Sequence, residues 1–363
     1  MTSEIAVRAG WSAAYAAFAE SEWQRDGGDV LPPRIGRIAS EHRGGFTVMT
    51  PEDDRLAQAP ASLRRRLEAA GEDKPTVGDW VGYEPVPDGS LILRAVLPRR
   101  SRLRRKRPGL DRAQVLVANV DRVLIVTSVG RDLNARRLER YLSLVLDGGA
   151  EPVVVVSKAD LADEDERRAV VSAVQPLGEV RVVMTSKVTG EGIDAVRDLA
   201  PAGVTVAMLG SSGVGKSSLA NILLGDESLA VGALTLEGKG RHTTTRRELV
   251  CLPSGGVLID TPGMRELGLW AAESGVDEAF ADVAAAAASC RFADCRHTNE
   301  PGCAVHAALA DGSLTAERVD SYLKLQAELA ENADPVAAAQ DARQRGRVGA
   351  RALRSRLRDK GRR

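Results

Sequence analysis

Gly210-Ser211-Ser212-Gly213-Val214-Gly215-Lys216-Ser217 is the stretch that decides the fold. The octet satisfies every fixed position of the phosphate-loop pattern G-x-x-x-x-G-K-[ST]. An apolar run from Val204 to Leu209 precedes it and predicts a buried strand, and Ser217 to Leu224 predicts a helix after it. Glycines let backbone N–H groups turn inward on phosphate oxygens at a helix amino terminus, where the dipole favours anions. Lys216 is then placed to reach the β- and γ-phosphates, with Ser218 behind it, and the Ser217 hydroxyl is a magnesium ligand.

Working outward, Asp260-Thr261-Pro262-Gly263 ends a second apolar strand, Val257 to Asp260, at the spacing of the other phosphate-side motif. Asp260 is expected to hold Mg²⁺ through water, and the Gly263 N–H to sense the γ-phosphate. Gly240-Arg241-His242-Thr243-Thr244-Thr245 lies between the two motifs and offers Thr244 to the magnesium shell. On the amino-terminal side, Val153 to Val156 runs into Ser157-Lys158-Ala159-Asp160. A carboxylate there accepts from guanine N1–H and N2–H₂, donors that adenine does not present, so Asp160 selects guanine and the Lys158 stem lies along the base. The usual Asn of this motif is Ser157. Met184-Thr185-Ser186-Lys187 ends another strand and adds Ser186 and Lys187 to the base side. Three of the eight lysines of the chain occupy these motifs.

The base motifs precede the phosphate loop, the reverse of the usual order. A parallel sheet tolerates such a circular permutation when the old termini are joined and a surface connection is opened. The Asp260 segment then leads straight into the carboxyl-terminal part of the chain. There, Cys290, Cys295, His297 and Cys303 lie within fourteen residues. Three thiolates and one imidazole fill a tetrahedral zinc shell with no open position, so the site is expected to be structural. Cys251, alone on a strand, is expected in the core, and His306 is an ordinary helix residue.

Composition sets bounds on the rest. With 363 residues, 44% hydrophobic and 28% charged, the chain is long enough for two or three domains and is neither disordered nor fibrous. No apolar run approaches the ~20 residues of a spanning helix, and the amino terminus lacks a secretory pattern, so a cytoplasmic location and no membrane partner are expected. Fifty basic residues balance fifty acidic ones, but seven of the nine from Arg99 to Arg107 are basic, as are ten of the twenty-one from Arg343 to Arg363. Two such segments favour a polyanionic partner. Short alternating runs from Arg34 to Arg107, with a helical pattern at Ser62 to Ala70, fit a small Greek-key barrel of the oligonucleotide-binding type. Beyond Pro108, strands alternate with helices in the manner of an α/β sheet. After Trp270 the chain turns helical.

Together these motifs resemble the circularly permuted small ribosomal subunit biogenesis GTPases, the ribosome small-subunit-dependent GTPase A family. The match spans about residues 34 to 331 and adds Val77-Gly78-Asp79-Trp80, Pro98-Arg99-Arg100-Ser101, Asn119-Val120-Asp121 and Ser289-Cys290-Arg291-Phe292. The resemblance implies an N-terminal OB-fold β-barrel, a permuted P-loop GTPase domain and a mostly helical zinc-binding domain. The corresponding limits are an extension at 1–33, the barrel at 34–107, the GTPase at 108–270, the zinc domain at 271–335 and a basic tail at 336–363. It implies a monomer that binds GTP and GDP, engages the small (30S) ribosomal subunit and its rRNA late in maturation, and hydrolyses GTP under subunit stimulation. Met264 and Arg265 stand where Ras-like proteins place a water-orienting Gln, so His242, beside Thr244 and with Lys216, is the expected catalytic group. Two alternatives remain at this level: an RNA-binding protein gated by nucleotide with negligible hydrolysis, and a P-loop ATPase or kinase, against which Asp160 stands.

Overall fold

The structure, a computed structural model, describes residues 9–11, 13–25, 32, 34–106, 113–175, 179–211, 213–225, 248–260, 276–277, 279–292, 295–297 and 300–333. Residues between 35 and 96 form strands β1 (Ile35–His42), β2 (Gly45–Met49), β3 (Asp54–Gln58), β4 (Trp80–Pro85) and β5 (Leu91–Val96). They pair in the order β1-β2-β3-β5-β4, and β4 returns to β1, closing a five-stranded barrel. Its interior is Ile38, Val48, Val81, Leu91 and Leu93, all fully buried. Strand β3 is not marked by the apolar alternation used above: it is Asp-Arg-Leu-Ala-Gln, with only Ala57 buried. Helix α1 (Ala13–Arg25) precedes the barrel, and α2 (Ala61–Ala69) packs along it. A basic hairpin follows, β6 (Arg102–Lys106) against β7 (Ala113–Ala118).

Strands β8 (Arg122–Ser128), β9 (Glu151–Ser157), β10 (Arg181–Met184), β11 (Thr205–Leu209) and β13 (Val257–Asp260) are Val/Ile/Leu-rich on both faces. Such strands need cover on both sides, which a parallel sheet with flanking helices provides. They pair in parallel in the order β10-β9-β8-β11-β13. Helices α3 (Ala135–Asp147), α4 (Glu164–Val174), α5 (Ile193–Arg197) and α6 (Lys216–Leu224) connect them. Asn134 caps α3 by accepting from the Arg137 N–H, and Asp163 and Glu166 form a reciprocal capping box at α4. Strand β12 (Glu248–Cys251) runs antiparallel to β13 and also pairs with barrel strand β1 at Ser40–Glu248, so barrel and parallel sheet form one eleven-stranded sheet. Cys251, expected in the core, is exposed instead. It is the last residue of β12, and its Sγ lies 3.8 Å from Met49 Sδ. Helices α7 (Ala281–Ala288), α8 (Ala304–Ala310) and α9 (Ala316–Ala333) complete the carboxyl-terminal part. Among the described residues, no helix is long and apolar enough to cross a membrane.

In the segment before the barrel, which carries no motif, Ala9, Trp11, Tyr15 and Ala19 are part of the main core. Trp11 meets Trp80 edge-on at 4.7 Å and Tyr15 at 5.1 Å, and the Tyr15 hydroxyl donates to the Pro98 carbonyl. Beside them Arg37 is 1% exposed. Its Nε donates to Gly78 O, Nη1 to Ala9 O and Thr205 Oγ1, and Nη2 to Asn119 O, while its guanidinium lies 5.0 Å from the Trp80 ring. No carboxylate touches it in these bonds; oriented carbonyls replace the water it lost, and burial pulls its pKa down to about 10, so it stays charged at neutral pH. Arg37→Met leaves three carbonyls without this donor and is expected to destabilise the protein by about 3 kcal/mol. Calorimetry would register this as a lower unfolding midpoint, and an unchanged midpoint would contradict the assignment.

Candidate nucleotide site and metal centre

Parallel pairing sends the carboxyl ends of β8, β9, β10, β11 and β13 to one edge of the sheet, the place where ligands bind in open α/β folds. The phosphate loop follows β11. Gly210 has φ +147°, and a Cβ there would fall 2.2 Å from the Val126 carbonyl oxygen, so only glycine fits. Gly213 and Gly215 also have positive φ, at +80° and +98°. The loop enters α6 at Lys216, whose Nζ donates to the Gly210 carbonyl at 2.7 Å and to that of Ser211. Ser217 and Gly213 are exposed, Ser218 is half-buried and Val214 is buried. Asp260 ends β13 at the same edge, because Ala207 of β11 pairs with Ile259.

The base motif follows β9. Ser157, at the end of the strand, is 6% exposed and lies against both Thr127 O at 3.1 Å and Val214 O at 2.5 Å. A hydroxyl carries one proton, so it donates to one of these carbonyls at a time. Its position ties the base strand to the phosphate loop, the bracing that an Asn would perform with two N–H donors. Lys158 has φ +59°, unusual for a residue with a Cβ, and this turn leaves Lys158 and Asp160 exposed while Ala159 is buried. Ser186 donates to Asp160 Oδ1 and accepts from the N–H groups of Val188 and Thr189 at 3.1 and 3.2 Å. Lys187 beside it is exposed. The structure thus brings Ser157, Lys158, Asp160, Ser186 and the described loop residues 210–211 and 213–218 to one edge. Ser212, His242, Thr244 and Gly263 lie outside the described residues.

The second cluster sits between α7 and α8. Cys290, Cys295, His297 and Cys303 hold their ligand atoms within 4.8 Å of one another. A metal at ~2.3 Å from sulfur and ~2.0 Å from nitrogen, with tetrahedral angles, spaces sulfurs by about 3.8 Å and sulfur from nitrogen by about 3.5 Å. The observed spacings are 3.9 Å for Cys290–Cys303 and 3.5 Å from each of these sulfurs to His297 Nδ1. Burial pushes the Cys290 thiol up, but N–H donors from Ala304 and Val305 together with the Cys295 and Cys303 thiols hold it below its usual range. His297 turns with φ +56° to face the thiols. The four residues therefore fit a tetrahedral divalent metal. Cys303→Ala should abolish stoichiometric metal retention, read by elemental analysis of purified protein, and lower the unfolding midpoint. A strong chelator should lower the wild-type midpoint but leave that of the variant unmoved.

Arg318 of α9 joins this module to the sheet. It donates to Glu139 Oε1 of α3 at 2.9 Å, to Asp282 of α7 at 2.8 and 3.0 Å and to Ala279 O at 2.8 Å, and it lies 4.3 Å from the Phe280 ring. No motif marks this residue, and nothing in the spacing of the sequence points to it.

The family model described as RsgA GTPase matches residues 96–270. "Small ribosomal subunit biogenesis GTPase RsgA" of Streptomyces avermitilis is 47% identical over 321 residues, covering 86% of this chain and 83% of that protein. "Small ribosomal subunit biogenesis GTPase RsgA 2" of Lactiplantibacillus plantarum is 42% identical over 312 residues, 85% of this chain and 86% of the relative. Among solved structures, YjeQ from Thermotoga maritima superposes with a TM-score of 0.62 at 31% identity, covering 82% of this chain and 98% of that one. YloQ, titled a circularly permuted GTPase, gives 0.58 at 26% identity, covering 82% and 95%. With relatives this similar over most of both chains, and with base motifs that precede the phosphate loop on one parallel sheet, this chain belongs to the RsgA family of circularly permuted GTPases.

Proposed function

We propose that this protein is a cytoplasmic GTPase that binds the small ribosomal subunit during late maturation and hydrolyses GTP to GDP and phosphate when the subunit is engaged. The observation that carries it is the convergence of the Asp160 motif and the Gly210–Ser218 loop on one sheet edge, in a chain whose relatives bear the name of small-subunit biogenesis GTPases. Asp160, held by Ser186, accepts from guanine N1–H and N2–H₂; Lys158 and Lys187 flank the base. Loop N–H groups and Lys216 hold the β- and γ-phosphates. Ser217, Thr244 and Asp260 hold magnesium, which neutralises charge on the phosphate oxygens when bound. Water attacks the γ-phosphorus in line, the bond to the β–γ bridging oxygen breaks, and GDP and phosphate leave. His242 orients that water, since Met264 and Arg265 offer no amide to do so, and Gly263 senses the γ-phosphate. The four-ligand cluster at 290–303 holds one structural zinc. The basic runs at 100–107 and 343–363 contact rRNA phosphates, so binding weakens as salt rises, whereas Arg99, the first residue of the earlier run, is turned inward onto Asp79.

Hydrolysis by the purified protein, alone and with small or large subunits, tests this directly. Small subunits alone should stimulate turnover strongly, and His242→Ala should remove most of that stimulation while GTP stays bound. Stimulation by neither subunit, with GTP still bound, would instead favour nucleotide-gated RNA binding.

Ser157→Ala removes the brace between β9 and the phosphate loop. It is expected to weaken binding of a fluorescent GDP about five-fold, in line with loss of one buried hydrogen bond. Wild-type affinity in this variant would show that the hydroxyl does not support the loop.

A further inference from the structure

Guanine selection requires two loops from neighbouring strands to stay in register: residues 157–160 after β9 and 185–192 after β10. Their roots are joined by backbone bonds, Thr185 N to Val156 O at 2.8 Å and Ala159 N to Thr185 O at 3.1 Å. Their outer parts have no such ladder. Arg167, on the first turns of α4, spans that gap. Its Nη1 and Nη2 fork onto Glu191 Oε1 and Oε2 at 3.0 and 2.9 Å, and Nη2 also reaches the Ala159 carbonyl at 3.4 Å. The Ala159 carbonyl belongs to the peptide that carries Asp160. Glu191 in turn accepts the Ser186 N–H on its backbone carbonyl at 2.9 Å, and the Ser186 hydroxyl holds Asp160 Oδ1. Two routes from one guanidinium thus end on the same carboxylate, one through the Ala159–Asp160 peptide and one through Glu191 and Ser186.

We infer that Arg167 and Glu191 form a positioning pair that fixes Asp160 for recognition of the guanine N1–H and N2–H₂, an inference that rests on the base-site assignment under Proposed function. Neither residue belongs to the phosphate loop. Several features set the pair apart from an ordinary surface ion pair. Both carboxylate oxygens are used, Nη1 also lies 3.9 Å from Met184 Sδ, and the capping box of Asp163 and Glu166 fixes the helix that carries Arg167. The side chains are 39% and 37% exposed, so solvent screens the charge and the effect on affinity is modest. Arg167 also holds the Glu191 carboxyl below its usual range.

The test compares GDP with inosine diphosphate, which lacks the exocyclic N2 amino group, by competition against fluorescent GDP on the full-length protein. Arg167→Ala and Glu191→Gln should each weaken GDP binding about five-fold and inosine diphosphate binding less than two-fold, which narrows the discrimination between them. In steady state KM for GTP should rise by a similar factor while kcat at saturation changes little. The double variant should be no worse than either single one, because the pair acts as a unit. Equal losses for both nucleotides, additive losses in the double variant, or unchanged GDP affinity would each overturn the pairing role. Asp160→Ala separates the two levels of inference. If it fails to level GDP and inosine diphosphate, the base-site assignment itself falls. If it levels them while Arg167→Ala and Glu191→Gln keep the wild-type ratio, only the pairing role falls.

Discussion

Parallel hydrogen bonding across β10-β9-β8-β11-β13 is the constraint on which the rest depends. It forces every strand to release its loop at the same edge, so the base and phosphate motifs meet whatever their order along the chain. Spatial neighbours are set by strand position, not by sequence position, and a permuted chain keeps the same site as long as its strands keep their places. The permutation changes what hangs from the ends. Strand β13, which carries Asp260, now precedes the helices of the metal module, and β12 lies between β13 and the barrel.

The parts of the sequence that were legible are those whose chemistry allows few alternatives. Glycine at position 210, where a Cβ would strike the Val126 carbonyl, and four side chains able to ligate a metal within fourteen residues announce themselves. The Val-rich strands are legible because burial on both faces requires apolar residues at every position. Strand β3 was missed since one buried residue, Ala57, leaves no period to detect. The role of the first 33 residues was unreadable because Trp11 and Tyr15 pack on Trp80, a partner some seventy residues away that no local pattern names. Cys251 was misplaced for the opposite reason: its apolar neighbours suggest a core strand, but the strand ends there. Ser157 departs from the usual motif, and only its distance to Val214 O shows how the bracing is retained.

Motifs that carry no nucleotide chemistry acquire a physical reason at the junction between barrel and sheet. Val77-Gly78-Asp79-Trp80, Pro98-Arg99-Arg100-Ser101 and Asn119-Val120-Asp121 converge there. Gly78 has φ +90° and lies so close to Ala118 that a Cβ would fall 2.1 Å from its carbonyl oxygen. Asp79, fully buried, is matched by Arg99 at 2.6 and 2.7 Å. Asn119 donates to Gly78 O, accepts from the Arg100 N–H and gives its own carbonyl to Arg37. Asp121 accepts from Thr205 N at 2.7 Å, at the start of the strand that leads to the phosphate loop. These residues constrain one another.

Barrel strand β1 is therefore fastened to the nucleotide sheet at both of its edges. Arg37, early in the strand, bonds Thr205 at the amino end of β11, the edge away from the phosphate loop. Ser40, three residues later, pairs with Glu248, which in turn pairs with Asp260 at the phosphate edge. Two attachments at opposite edges remove the freedom to pivot that a single contact would leave. A force applied to the barrel is then borne by backbone hydrogen bonds that run through β12 to the strand bearing Asp260, rather than absorbed at a flexible linker. The same logic holds on the other flank, where Arg318 secures α9 and α7 to α3 through one buried guanidinium shared by Glu139 and Asp282. In both places an arginine does what a lysine cannot, because its planar fork addresses several acceptors from different elements at once.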